Sequence, residues 1–317
     1  MTYNILISCP HLQRTIDCYR ELFIKYNFDV YIPHVEQKLT EDELVEIIHQ
    51  YHGIIAGDDE ITENVLEKAK LLKVISKWGV GIDSIDISAA KKFGVRVYNT
   101  PNVFGEEVAD VVMGYIILLA RHLHIIDQKV KAGDWTAAQI QGSSLKNKTL
   151  GVIGVGSIGK AVVKRALASG MEVLGHDIAP IDDTFIQQTG MKQVDMDTLV
   201  TSSDFISLNC NLTSSNHHMI DREALEKMKN SAYLINTSRG PLIDEKALID
   251  ALTYRKIAGV ALDVFEYEPL PAESKFRTLP NCILGAHNSS NTIDAVLRVN
   301  EMAIDNLLKG LGIEKNE

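Results

Sequence analysis

The stretch TLGVIGVGSIGKAVVKRALASG, residues 149–170, reads as a strand, a tight glycine turn and a helix in direct succession. Thr149–Ile153 is a short apolar run, and Gly154, Gly156 and Gly159 stand at the GxGxxG spacing. A bare glycine pattern fits any strand–turn–helix corner. Here Ala161, Val162 and Ala166 keep the helix thin against a sheet, and the next strand ends in Asp177. That context is the dinucleotide-binding one. Gly154 permits the turn, Gly156 lets the backbone approach a pyrophosphate, and Gly159 permits close helix–strand contact. The pyrophosphate is expected at the helix N-terminus, near the Ser157 and Ile158 amides. Asp177 would accept hydrogen bonds from the adenosine ribose hydroxyls and repel a 2′-phosphate, and HDIAPIDD (176–183) offers no Arg or Lys to receive one. The pattern therefore favours NAD over NADP. The plainer alternative is a structural corner with Asp177 as a solvated strand end.

Outward from this unit, strands and helices alternate. Before it, strands are expected at Ile5–Ser8, Val30–Ile32, Ile54–Ala56, Val74–Ser76 and Arg96–Tyr98. Helical spacing separates them at Leu12–Tyr26, Glu41–Gln50, Thr62–Lys70 and Ile87–Phe93, with Glu41–Glu46 as an exposed charged face. NTPN (99–102) breaks the chain, and one long helix is expected from Glu106 into Lys131. After it come strands at Thr149–Ile153, Glu172–His176, Phe205–Leu208, Tyr233–Asn236, Gly259–Leu262 and Cys282–Leu284. A last amphipathic helix, about Thr292–Lys309, is expected to return to the first domain and make it discontinuous. This rhythm predicts an α/β protein of two doubly wound parallel sheets. The expected division is 1–100 with 288–317 as one domain and 101–287 as the other.

Composition agrees with a folded two-domain chain: 317 residues, 45% hydrophobic and 23% charged. A net charge of −10 argues against nucleic acid or an anionic membrane as partner. The apolar run 111–120 is too short to span a bilayer. The start, MTYNILISCP, has no basic segment and reads as a first strand rather than a signal peptide. Cys9, Cys18, Cys210 and Cys282 are scattered, without metal-ligand spacing, as expected of reduced thiols in the cytoplasm. His217 and His218 read as a solvated polar loop with no carboxylate pattern nearby, and His122 and His124 as residues two apart on one helix.

Three polar residues stand where strands of the second sheet should end. LINTSRGPLID (234–244) runs from a buried strand into Arg239, GVALDVFEYEPLP (259–271) places Asp263 and Glu268, and ILGAHNSS (283–290) places His287. Taken singly, each has a surface explanation: an ion-pair arginine, a solvated glutamate, a hydrogen-bonded histidine. Parallel sheets bind ligands at their strands' carboxyl ends, so together the three are expected to face one crevice.

Across nearly its whole length the chain resembles the D-isomer-specific 2-hydroxyacid dehydrogenases, and most of all the phosphoglycerate-dehydrogenase-like members. The resemblance rests on GVGIDSID (79–86), NTPNVFGEEVAD (99–110), GVIGVGSIGK (151–160), INTSRGPLIDEKAL (235–248), GVALDVFEYEP (259–269) and the late His287. It implies a flavodoxin-like substrate domain and a Rossmann NAD-binding domain, and NAD-dependent hydride exchange between a small D-2-hydroxy acid and its 2-oxo acid. Arg239 would hold the substrate carboxylate and polarise its carbonyl, His287 would donate and accept the proton, and Glu268 would orient the imidazole. Cys210, Thr237, Ser238 and Asp263 would join the glycine motif and Asp177 at the cofactor, and the Val80 and Gly81 amides would take the substrate carboxylate. Lys77 could reach a substrate phosphate, as in oxidation of 3-phosphoglycerate, or be a solvated strand end. Trp78 could line the pocket or belong to core. Glyoxylate or hydroxypyruvate reduction is the alternative, and a different class is an NAD(H)-sensing binding protein on the same fold. The resemblance also implies a homodimer. Two departures stand out: NCNLT (209–213) has Asn211 where proline is customary, and NSSN follows His287.

Overall fold

The computed structural model describes residues 2–315; Met1 and residues 316–317, which the sequence reading assigns to the first domain, lie outside them. The chain forms two units. One runs to Val103 and resumes at Asn291; the other is Phe104–Ser290.

In the first unit, β1 (Tyr3–Ile7), β2 (Phe28–Tyr31), β3 (Gly53–Ala56), β4 (Val74–Lys77) and β5 (Arg96–Tyr98) pair in parallel in the order β2-β1-β3-β4-β5. This is the flavodoxin-like order, which reverses direction between β1 and β3. β3 and β4 are buried at every position, as strands covered on both faces must be. The helix Ile293–Leu311 supplies one cover. It buries Val296, Val299, Ala303, Ile304, Leu307 and Leu308 at helical spacing. Gly310 lets it sit close, since a Cβ there would stand 2.1 Å from Val74 Cγ2. Thr292 caps its start by accepting from the Ala295 amide.

In the second unit, β6 (Thr149–Ile153), β7 (Glu172–His176), β8 (Lys192–Gln193), β9 (Phe205–Leu208), β10 (Tyr233–Asn236), β11 (Gly259–Leu262) and β12 (Cys282–Leu284) form one parallel sheet. Their order, β12-β11-β10-β9-β6-β7-β8, is the Rossmann arrangement with an added edge strand. The direction of winding reverses between β6 and β9.

β5 to β7 and β9 to β12 have the limits read from the sequence, while β1 to β4 shift by one or two residues at their ends. β8 escapes such a reading because it has two exposed residues and no apolar run. The single helix expected over 106–131 is two, Gly105–Arg121 and Leu123–Lys131, bent by 66° at His122. His122 takes the left-handed conformation (φ 54°) while its amide still bonds the Leu118 and Leu119 carbonyls. The buried face ends at Ala120, and the second segment buries no residue, so nothing requires the axis to continue. Leu12–Tyr26 is likewise divided at Thr15, whose hydroxyl bonds the His11 and Leu12 carbonyls. Among the described residues no single helix is long and apolar enough to cross a membrane.

Candidate active site

Arg239, Glu268 and His287 follow the carboxyl ends of three adjacent strands, β10, β11 and β12. The structure joins two of them directly. Glu268 Oε2 lies 2.7 Å from His287 Nδ1, with about a quarter of the imidazole and a fifth of the carboxylate exposed (25% and 20%). Glu268 Oε1 accepts the Phe265 amide at 2.9 Å, so both carboxylate oxygens are fixed. A carboxylate only accepts, so Nδ1 is the protonated nitrogen of the neutral ring and Nε2 is left for chemistry.

His287 is held in the left-handed region (φ 51°). Its amide bonds the Asp263 carbonyl at 2.7 Å, and Asp263 Oδ2 accepts the Asn288 and Ser289 amides at 2.9 and 2.8 Å. The Ser289 hydroxyl donates to the same oxygen. Asp263, 2% exposed, thus ties the end of β11 to the turn carrying His287. Its other oxygen faces Gly285, where a Cβ would stand 2.1 Å from Oδ1 and 2.6 Å from the Tyr115 hydroxyl. Burial, and secondarily the Asp263 charge, pushes the Tyr115 phenol above its ordinary range.

Arg239 has extended backbone, and its Nη1 donates to the Ser238 carbonyl at 2.8 Å, which orients the guanidinium. Asn236 staples the turn: its Nδ2 donates to the Arg239 carbonyl at 2.8 Å and its Oδ1 accepts the Ser238 amide at 3.0 Å. Gly240 follows, and a Cβ there would stand 1.9 Å from the Phe265 carbonyl carbon and 2.3 Å from the Glu266 amide. Any larger residue would push apart the turns bearing Arg239 and Glu268. Neither Asn236 nor the close approach at Gly240 was anticipated from sequence. A glycine directly after a strand-end arginine was the available signal, but it reads equally well as ordinary turn chemistry.

The glycine turn lies at the β6/β9 reversal. Gly154 has φ 88°, and a Cβ on it would stand 2.6 Å from the Cys210 amide nitrogen. Gly159 packs under it, 2.0 Å from Cβ to the Gly154 carbonyl oxygen. Gly156 precedes the helix Ser157–Ala168, and a Cβ there would meet nothing within 4 Å. The amides of Ser157 and Ile158 open this helix beside that clear space. Asp177 braces the loop, accepting the Val155 amide at 2.7 Å and the Ala179 amide at 2.9 Å.

Thr237 Oγ1 is buried and finds no hydrogen-bond partner among the described residues, whereas the Ser238 hydroxyl donates to the Leu208 carbonyl. A buried hydroxyl without a partner, on the same sheet as an open glycine cradle, is what a polar cofactor would satisfy. The residues present therefore fit NAD. Burial raises the Cys210 thiol to about 11, so it stays neutral. The missing proline of NCNLT is offset by Asn216, which donates to the Asn211 carbonyl at 2.8 Å and accepts the Thr213 amide at 2.7 Å.

In the first unit, Val80 and Gly81 form the turn after β4. It is held by Asn99, whose Nδ2 donates to the Val80 carbonyl at 2.7 Å, and by Thr100, whose hydroxyl accepts the Gly79 amide at 2.9 Å. Lys77 is not a solvated strand end. It is 3% exposed, and its ammonium donates to Asp58 Oδ1 at 2.9 Å and to the Trp78 carbonyl at 3.2 Å. Trp78 is buried, stacked on His11 at 4.5 Å, and donates from Nε1 to Asn300 Oδ1 at 2.7 Å. The solvated reading of His218 also needs correction, because its Nε2 lies 2.7 Å from Glu266 Oε1.

A glycine cradle for a dinucleotide and a carboxylate-held imidazole on one sheet define a nicotinamide-dependent oxidoreductase. Residues 113–289 match the NAD binding domain of the D-isomer specific 2-hydroxyacid dehydrogenases. The chain is 38% identical to a hydroxypyruvate reductase of Thermotoga maritima, covering 87% of this chain and 90% of that one. It is 41% identical to a D-3-phosphoglycerate dehydrogenase of Methanocaldococcus jannaschii, over 81% of this chain and 49% of that one. The structure of a D-lactate dehydrogenase from Aquifex aeolicus, complexed with NAD and lactic acid, superposes with a TM-score of 0.87 at 30% identity, covering 98% of this chain and 95% of that one. The chain belongs to the D-isomer-specific 2-hydroxyacid dehydrogenase family. It is an NAD-dependent oxidoreductase of D-2-hydroxy acids.

Proposed function

We propose that the protein reduces a small unphosphorylated 2-oxo acid, glyoxylate or hydroxypyruvate, rather than phosphohydroxypyruvate. The observation that carries this is the state of Lys77, the cation best placed in sequence to meet a substrate phosphate. Its ammonium is buried and neutralised by Asp58. A phosphate dianion leaving water needs an uncompensated cation, and this pair offers none without breaking. The hydroxypyruvate reductase of Thermotoga maritima, similar over most of both chains, supports the same reading.

NADH, when bound, supplies the hydride. In this assignment Arg239 binds the substrate carboxylate and draws charge from the 2-oxo carbonyl. His287 donates a proton from Nε2 to the oxygen that becomes the hydroxyl, and Glu268 keeps the ring oriented and its protonated form favoured. The Val80 and Gly81 amides are assigned to the substrate carboxylate. Gly154, Gly156, Gly159, Ser157 and Ile158 are assigned to the cofactor pyrophosphate, Asp177 to its ribose, and Cys210, Thr237, Ser238 and Asp263 to the rest of the cofactor site.

Steady-state NADH oxidation against glyoxylate, pyruvate, hydroxypyruvate, phosphohydroxypyruvate and longer branched acids tests the substrate assignment. Glyoxylate or hydroxypyruvate should exceed phosphohydroxypyruvate in kcat/KM by about tenfold or more. A preference for phosphohydroxypyruvate that Lys77→Ala abolishes would sink it.

The reading includes a cytoplasmic homodimer. Unpaired thiols at Cys9, Cys18, Cys210 and Cys282 are consistent with a reducing compartment. Dimerisation through the apolar helical region 106–126 is supported by exposed Ile117 and Leu123 (40% and 41%). Sedimentation at micromolar concentration should give twice the chain mass, and a single-chain mass would overturn the dimer.

A further inference from the structure

His218 and Glu266 form a polar network just behind the two turns that carry Arg239 and Glu268. The segment after β9 returns alongside the turn after β10: the His218 amide bonds the Pro241 carbonyl at 2.8 Å, the Ile220 amide bonds Leu242 at 3.0 Å, and the Asp244 amide bonds Ile220 at 3.1 Å. From that segment His218, in the left-handed region (φ 54°), reaches Glu266 Oε1 with Nε2 at 2.7 Å. Glu266 is also held by its backbone, its amide donating to Glu245 Oε1 at 2.8 Å, while the Glu245 amide points back to Glu266 Oε1 at 3.4 Å. Burial raises the Glu245 carboxyl above its usual range, with the Glu266 and Glu268 charges adding to it. One residue before Glu266, the Phe265 amide holds Glu268 Oε1, and the Phe265 carbonyl lies over Gly240. A shift of Glu266 therefore moves the amide that aims Glu268 at His287.

We infer that His218 and Glu266 are positioning residues of the reaction: their contact sets the turn bearing Glu268 in register with the turn bearing Arg239. Neither is placed against substrate or cofactor. The inference rests on the assignment of Glu268 and His287 to the chemistry. A loss of about an ångström in such registration costs on the order of 10- to 100-fold in turnover.

The test is a double-mutant cycle with Glu268→Gln on the intact protein, using its best 2-oxo acid. His218→Ala should lower kcat by about tenfold or more in the wild-type background and by less than about twofold in the Glu268→Gln background, because the geometry it maintains is then already without use. NADH affinity, read by fluorescence, should stay within about twofold in every variant. His218→Gln, which keeps a donor, should recover part of the loss. If His218→Ala fails to fold, Glu266→Gln, nearly isosteric, runs the same cycle. Equal losses in both backgrounds, or no loss in the wild type, would overturn the inference. A Glu268→Gln variant with full activity would instead overturn the assignment on which it rests.

Discussion

Arg239→Ala is expected to lower kcat/KM for 2-oxo acid reduction by about a thousandfold, about 4 kcal/mol of transition-state stabilisation, and to leave NADH affinity within about twofold. The size follows from what the guanidinium does in the proposed reaction. A carboxylate brought into the site loses its hydration, and the carbonyl oxygen gains negative charge as hydride arrives. A planar fork can answer both acceptors at once. Its plane is set before substrate arrives, by Nη1 on the Ser238 carbonyl and by Asn236 on the turn. Arg239→Lys should recover little, because a single ammonium has neither the fork nor that anchor. Steady-state kinetics with a parallel NADH titration checks the pair. A kcat/KM within tenfold of wild type in Arg239→Ala would remove Arg239 from the substrate.

His287→Asn should lower kcat by about a thousandfold in both directions, within the range for loss of a general acid–base group. Asparagine is the informative replacement. Position 287 has φ 51°, a conformation asparagine tolerates better than most residues, so the turn tied to Asp263 is kept while the proton donor is lost. The deficit then reports proton transfer rather than a collapsed loop. Thermal unfolding should be nearly unchanged, and single-turnover decay of bound NADH should slow with its amplitude kept. A kcat within tenfold of wild type would mean that another group, or water, supplies the proton.

The strands of both sheets other than β8 were legible because a parallel strand covered on both faces is a continuous apolar run bounded by turn residues, as in Phe205–Leu208 and Gly259–Leu262. The placing of Arg239, Glu268 and His287 after three such strands followed from the same pattern. What escaped the sequence depends on contacts between distant segments. Asp263 is a strand-end carboxylate in sequence, and only the folded chain shows its Oδ2 gathering the amides after His287. Lys77 looked available until folding brought Asp58 to it, and His218 looked solvated because Glu266 lies 48 positions away. The bend at His122 escaped for a different reason. No glycine or proline marks it, and the apolar periodicity fades there without a stop signal.

In the proposed reduction the imidazole of His287, steadied by Glu268 at 2.7 Å, is the acid. The most direct measurement is the pH profile of kcat/KM for reduction, in the wild type and in Glu268→Gln. Reduction needs protonated His287, so activity is present below the apparent pKa and lost as pH rises through it. A carboxylate beside an imidazole favours the imidazolium over the neutral ring. Removing its charge should therefore move the falling limb to lower pH. Profiles that superimpose after scaling would contradict the account.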